Sequence, residues 1–189
     1  MAIKRKIIEI LLPILINKGY SEMTISCISK AIGMQKSSIY HFFPGGKSQI
    51  GLEIILFVDD LLSQELFHCL RRGYKNPVTI LHKALDILCE FYKQGNHSCV
   101  INIISTIDHE PKIKKACNNL LQKLITIFTT ILMKFNLNHE EAQQKSIEII
   151  TLIQGSLIIS HATNQNSFFL KQIQLIKKTV TNKWTNKIA

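Results

Sequence analysis

Residues 24–47 read TISCISKAIGMQKSSIYHFFPGGK, and this stretch decides the fold. Thr24 or Ser26 offers a side-chain oxygen that can cap a short helix running to about Ala31–Ile32. Gly33 then supplies a turn, and a second short helix is expected from Gln35 to about His41. Pro44-Gly45-Gly46 reads as a tight loop, with a long helix starting near Lys47. Two short helices joined by a glycine turn have the length and spacing of a helix-turn-helix. Many ordinary helical pairs share that spacing, so the surroundings of the pair carry weight.

Working outward, Ile3, Ile7, Ile8, Leu11, Leu12, Leu15 and Ile16 recur at helical spacing, with Pro13 expected to bend the helix and Gly19 to end it. The helix from Lys47 should pass Leu70, with Ile50, Ile54, Leu61, Leu62 and Leu66 on its inner face. Further helices are expected over about 77–94, 98–107, 111–135, 139–163 and 167–186, with Pro77 and Pro111 at starts and Asn138 as a cap. No segment alternates with period two for long. The fold class is therefore all-α, with about nine helices.

The chain has 189 residues, and 46% are hydrophobic, which excludes wholesale disorder. Its net charge is +10, so it should seek polyanions, either nucleic acid or an anionic membrane surface. The excess sits at the ends. Residues 1–47 carry Lys4, Arg5, Lys6, Lys18, Lys30, Lys36 and Lys47 against Glu9 and Glu22, and the tail carries Lys171, Lys177, Lys178, Lys183 and Lys187 with no acid. The middle is neutral. The helical pair thus lies in a basic N-terminal third.

Other classes fall away. No run of 18 apolar residues exists, so no transmembrane helix is expected. Glu9 and Pro13 interrupt the apolar N-terminus, which lacks a signal-peptide cleavage pattern. The five cysteines (27, 69, 89, 99 and 117) are scattered and odd in number, as expected of reduced, mostly buried thiols in a cytoplasmic protein. No HExxH, phosphate loop or nucleophile elbow occurs, and the pairs Asp59-Asp60 and Glu140-Glu141 diverge on a helix, so no enzyme is expected. His97, Cys99, Asp108 and His109 fit no metal-site spacing, and neither metal nor cofactor is expected. Oxidation of Cys27 would disturb the helical pair, although buried inert cysteine is the commoner state.

Gly19-Tyr20, Thr24, Ile28-Ser29-Lys30-Ala31-Ile32-Gly33-Met34, Gln35-Lys36-Ser37-Ser38, Ile39-Tyr40-His41-Phe42-Phe43 and Lys47 follow one another in a telling order. Together they resemble the DNA-binding region of the TetR/AcrR transcriptional regulators. The long Phe43–Lys47 loop, Cys99-Val100 and Ile153–Ile159 are similar to the LmrA/YxaF-like subgroup. Departures are Ser29 for the usual Ala, the bulkier Ile32 and Met34, and Phe42 for a polar residue; they leave the helix crossing open.

The resemblance implies a helix-turn-helix DNA-binding domain over 1–47 and a ligand-binding and dimerisation domain over 48–189. It also implies a repressor released by a small effector. In that reading Gln35 and Lys36 reach base edges, and Ser37 and Ser38 let the helix sit close. Tyr40, His41, Thr24 and Lys47 meet phosphates, Lys47 at a helix N-terminus. Tyr40 also reads as a core aromatic with a wet hydroxyl, and His41, Lys36 and Lys47 as solvated surface. Ile25, Ile28, Ile39 and Phe43 belong to the small core. A homodimer would form through about 139–163 and 167–186, with Ile149, Ile150, Ile153, Leu157 and Ile158 as its stripe, beside Gly155 and Ser156. The competing reading of the same stripe is intramolecular core, since periodicity does not tell the two apart. An apolar or aromatic effector would meet Phe57, Leu61, Leu88, Phe91, Tyr92, Ile103, Ile104, Leu124, Phe128 and Ile158, a set in which plain core packing is the competing reading for each. The alternative function is a helical peripheral membrane or partner-binding protein using the basic tail around Trp184.

Overall fold

Helix ends in this chain are set by caps that its sequence carries openly. In a computed structural model, which describes the backbone of 2–105 and 110–184 and the side chains of 3–105 and 110–179, nine α-helices and no strand occur among the described residues. They are α1 (Ala2–Glu22), α2 (Ile25–Ile32), α3 (Lys36–Phe42), α4 (Gly46–Arg71), α5 (Pro77–Phe91), α6 (Val100–Ser105), α7 (Pro111–Met133), α8 (His139–Thr163) and α9 (Ser167–Trp184). The all-α expectation holds. His109, Asp108 and the tail side chains Lys183, Trp184 and Lys187 lie outside the described residues.

Asn76 accepts the Val78 N–H at 2.8 Å ahead of Pro77, where a missing N–H costs nothing. Asn138 accepts the Glu141 N–H at 2.9 Å, and Glu140 and Glu141 complement the positive end of α8. Asn164, in the left-handed region at φ 53°, closes that helix. In α1 the departure from helical dihedrals falls at Gly19 (φ 79°, ψ 166°), while Pro13 sits inside the helix. The helix expected over 77–94 stops at Phe91, and a 3-10 turn follows at Lys93–Gly95.

The chain forms two compact units. The first comprises Met1–Asp60 with Cys99–Leu120, the second Leu61–Ser98 with Leu121–Ala189. In the first, Leu11, Leu15, Met23, Ile28, Ile39, Phe43, Ile50 and Ile54 are fully buried, and Ile104 and Ile113 of α6 and α7 belong to the same core. Ile25, expected in it, is only half-buried. In the second, Leu81, Leu85, Phe128, Phe135, Ile153 and Phe169 are buried. Ser160 Oγ accepts the Phe169 N–H at 3.1 Å, tying the start of α9 to α8. Lys177 of α9 pairs with Asp86 of α5.

Four of the five residues expected to form a dimer stripe face inward. Ile149, Ile150, Ile153 and Leu157 are at most 7% exposed and pack within the second unit, whereas Ile158 is 51% exposed. The reason is register: residues at i, i+1, i+4 and i+8 share one face of a helix, and Ile158 lies beyond its edge. By length and composition α8 could cross a membrane, although no 18-residue apolar run exists. A buried inner face and a half-exposed outer one both contribute to that apolarity. Cys69, Cys99 and Cys117 are buried and Cys27 and Cys89 half-buried, all five as free thiols. Burial raises the thiols of Cys69 and Cys89 above their ordinary value and pushes Cys117 up to about 11, so these three stay protonated at neutral pH.

Gly95 is demanded twice over. Its φ is +87°, and a Cβ there would lie 2.8 Å from Phe169 Cβ. Gly95→Ala should therefore cost about 3 kcal/mol, read as a thermal midpoint lowered by roughly 5–10 °C. A melting curve superposing on the parent's would refute this close packing.

Candidate nucleic-acid interface

The turn between α2 and α3 is held at both ends. Thr24 Oγ1 accepts the Cys27 N–H at 3.2 Å, the cap expected of it, which leaves its own O–H free to donate outward. Gly33 closes α2 in the left-handed region, and its N–H bonds the Ser29 carbonyl. Ser29 Oγ donates to the Met34 carbonyl at 2.6 Å, so the departure at position 29 adds a bond across the turn. Sequence reasoning treated Ser29 only as a substitution for Ala; a hydroxyl five residues before a turn carbonyl was the signal available.

Gln35 stands one position ahead of α3, at its cap, with no side-chain cap bond. Ile39 is fully buried, and Phe43 behind it likewise. Gln35, Lys36, Ser37, Tyr40 and His41 are exposed and Ser38 is half-buried. Lys36, Ser37, Tyr40 and His41 thus share one outward arc of about 140°, given 100° per residue. Tyr40 is 49% exposed, so it is not a core aromatic. A Cβ on Gly46 would sit 3.3 Å from Tyr40 Cε1, so the ring leans on the start of α4 and gains a fixed direction. Gly46 itself has φ +60°.

The first turn of α4 is strapped to α1. The Tyr20 hydroxyl donates to the Lys47 carbonyl at 3.3 Å, and its ring lies against Gly51, where a Cβ would come within 3.0 Å. Lys47 Nζ donates to the Ser21 carbonyl at 3.1 Å and stands 4.5 Å from the Tyr20 ring centroid. Lys47 is therefore partly committed to the fold, with further N–H donors left for a phosphate. Gln49 Oε1 accepts the Gly45 N–H at 2.9 Å. Nearby basic groups are similarly engaged. Arg5 pairs with Glu9 at 3.2 Å and Asp60 at 3.9 Å and lies 5.2 Å from the Phe57 ring centroid, and Lys4 stands 5.5 Å from that of Phe43.

The residues expected to meet an effector differ in burial. Leu88, Tyr92, Leu124, Phe128 and Ile104 are buried in cores, Phe57, Leu61, Phe91 and Ile103 are half-buried, and Ile158 is on the surface. Tyr92 packs edge-on against Phe91 and Phe169, and its hydroxyl accepts from Gln154 Nε2 at 3.1 Å. The second unit does carry grooves of about 120, 620 and 200 Å³, along α8 with α9, along α8, and between α4 and α5. None of the ten residues lines any of these three.

Comparison with known proteins places this geometry. Residues 11–54 match the family model described as bacterial regulatory proteins of the tetR family, and residues 77–174 match that of the transcriptional regulator LmrA/YxaF-like C-terminal domain. The HTH-type transcriptional regulator LmrA of Bacillus subtilis (strain 168) is 22% identical over 154 residues, spanning 79% of this chain and 81% of that protein. A TetR transcriptional regulator from Legionella pneumophila superposes with a TM-score of 0.82 at 19% identity, covering 92% of this chain and 94% of that one. FadR from Bacillus subtilis, solved in complex with stearoyl-CoA, superposes at 0.69 with 14% identity over 94% of this chain and 97% of its own. Regulators of this kind are generally non-enzymatic DNA-binding proteins. The chain belongs to the TetR family of bacterial transcriptional regulators, in its LmrA/YxaF-like branch, and is a DNA-binding regulator.

Proposed function

We propose that this regulator is a cytoplasmic, homodimeric repressor that releases operator DNA when a small apolar or aromatic effector binds its body. The head is assigned to 1–47 and the body to 48–189. One observation carries the DNA reading: the outward arc of α3 presents Lys36, Ser37, Tyr40 and His41 from a helix whose opposite side is fully buried at Ile39. Gln35 and Lys36 read base edges, Ser37 and Ser38 allow close approach, and Tyr40, His41, Thr24 and Lys47 contact phosphate. The stearoyl-CoA bound to the structurally similar FadR supports an effector in the body. The reading through the basic tail is not favoured, given the family to which the chain belongs.

The dimer has its own support. Ile147, Leu152, Ile158 and Ile159 of α8 and Phe168 and Leu175 of α9 are 42–55% exposed. Six large apolar side chains on one helix pair form the kind of patch that marks an interface. Gly155 lies on the same side of α8 as Leu152 and Ile159, and a Cβ there would meet nothing within 4 Å. A second copy fits this face, and its two-fold axis would set two recognition helices on one pseudo-palindrome.

The regulator should bind its own upstream region more tightly than random DNA at about 150 mM salt; equal affinity for both defeats the specific reading. Lys36→Ala and Tyr40→Ala should each weaken that binding roughly tenfold while leaving the melting temperature almost unchanged. Melting losses in step with the binding losses would mean structural roles instead. Lys47→Ala should weaken all DNA alike and reduce the salt slope by about one. Gly155→Arg should give a folded monomer of 21.6 kDa by light scattering, with its helical spectrum retained. A mass of twice that value would place the interface elsewhere.

A further inference from the structure

Ser48 and Glu110 are 62 positions apart, and the Ser48 hydroxyl donates to Glu110 Oε2. Both are half-buried and both belong to the first unit. Ser48 sits in the first turn of α4, directly after Lys47. Glu110 immediately precedes Pro111, and its carbonyl accepts the Lys114 N–H at 3.1 Å, so its backbone caps α7. The backbone of Glu110 thus belongs to α7 and its side chain to α4. Its carboxylate bonds within the first turn of one helix and adjoins that of another, where unpaired N–H groups favour negative charge.

The neighbouring ties give this bond its meaning. Lys47 is fastened to Ser21 and Tyr20, and Gln49 to Gly45, all within the helix-turn-helix region. Ser48 fastens the same turn to a residue far outside it. Gly46, which begins this turn, is also the surface on which Tyr40 leans. Any drift of the first turn of α4 would therefore move Lys47 and the support of Tyr40 together.

We infer that Glu110 is a positioning residue for DNA binding, acting through Ser48 to hold the first turn of α4, and with it Lys47 and Tyr40, in register for the duplex. The inference rests on the reading of α3 as the DNA-facing helix.

Hydrogen exchange of the free protein and DNA binding test it together. Glu110→Ala and Ser48→Ala should each speed amide exchange over residues 46–52 roughly five- to twentyfold, with exchange outside this turn and the first turn of α7 unchanged. Each should lower affinity for upstream and random DNA alike by a similar factor, because Lys47 and Tyr40 are assigned to phosphate. The double variant should lose less than the product of the two single losses, because the two residues share a bond. Glu110→Gln, whose amide oxygen still accepts from Ser48, should stay within about twofold of the parent in both readouts. Unchanged exchange and affinity in Glu110→Ala, or losses that multiply in the double variant, would overturn the positioning role. A parent protein that binds upstream and random DNA equally would instead sink the reading of α3, whatever the exchange data give.

Discussion

A helix of seven residues cannot hold itself together, and the DNA-binding head is built around that constraint. In α3 nucleation costs more than so few backbone bonds return. Its stability must come from outside. Ile39 and Phe43, both fully buried, anchor it with about 1.5–3 kcal/mol each. The Ser29 hydroxyl fixes the turn before it, and Gly46 supports Tyr40 at its far end. Apart from the Tyr40 ring, each device acts on the inner side or the ends of the helix, which leaves the rest of its outward arc free of structural duty. A helix with no other work on that side can present polar groups to a groove without loss of stability.

The same logic reassigns the charge. The net excess of +10 points to a polyanion as a bulk number, but several of the N-terminal cations already have partners within the fold. Arg5 is neutralised by Glu9 and Asp60, Lys4 lies over Phe43, and Lys47 over Tyr20. These contacts strap α1 to the loop and helix behind α3. Exposed pairs of this type are worth under about 1 kcal/mol each, so their value is orientation more than stability. Lys6, Lys18, Lys30 and Lys36 remain exposed. Part of the basic third therefore shapes the head, and part stays exposed to solvent.

The helices, the Thr24 and Asn138 caps, the Gly33 turn and the outward residues of α3 were legible in the sequence because each is a local event. A cap needs one oxygen near one free N–H, and a short amphipathic helix has one face to bury. What was not legible required two distant segments to meet. Nothing in the spacing of Ser48 and Glu110 couples them, and the Tyr20–Gly51 contact looks like an ordinary aromatic and an ordinary glycine until the ring is in place. The inner and outer faces of α8 failed for a different reason. Both are apolar, so periodicity detects the helix without telling which stripe the chain keeps for itself. For the effector residues, apolar and central describes a core as well as a pocket.

That double-sided apolarity also explains why α8 resembles a membrane-spanning segment by composition. A helix buried all round must be apolar all round. In α8 one stripe, Ile149, Ile153 and Leu157, is buried by the chain itself. The other, Leu152, Ile158 and Ile159, is about half exposed and flanks a glycine with open space beyond it. Lipid would require the polar positions between the stripes to be apolar as well, yet Glu148 and Thr151 are exposed on the outer side and Ser156 and Ser160 are buried on the inner one. Ser160 bonds the backbone of Phe169, and Ser156 bonds the carbonyl of Ile153, so the inner polar groups are satisfied by the fold. A second protein surface can accept Glu148 and Thr151 at a wet rim around apolar contacts, whereas the hydrocarbon of a bilayer cannot. The composition of α8 thus fits a helix whose one side completes its own unit and whose other side suits another copy.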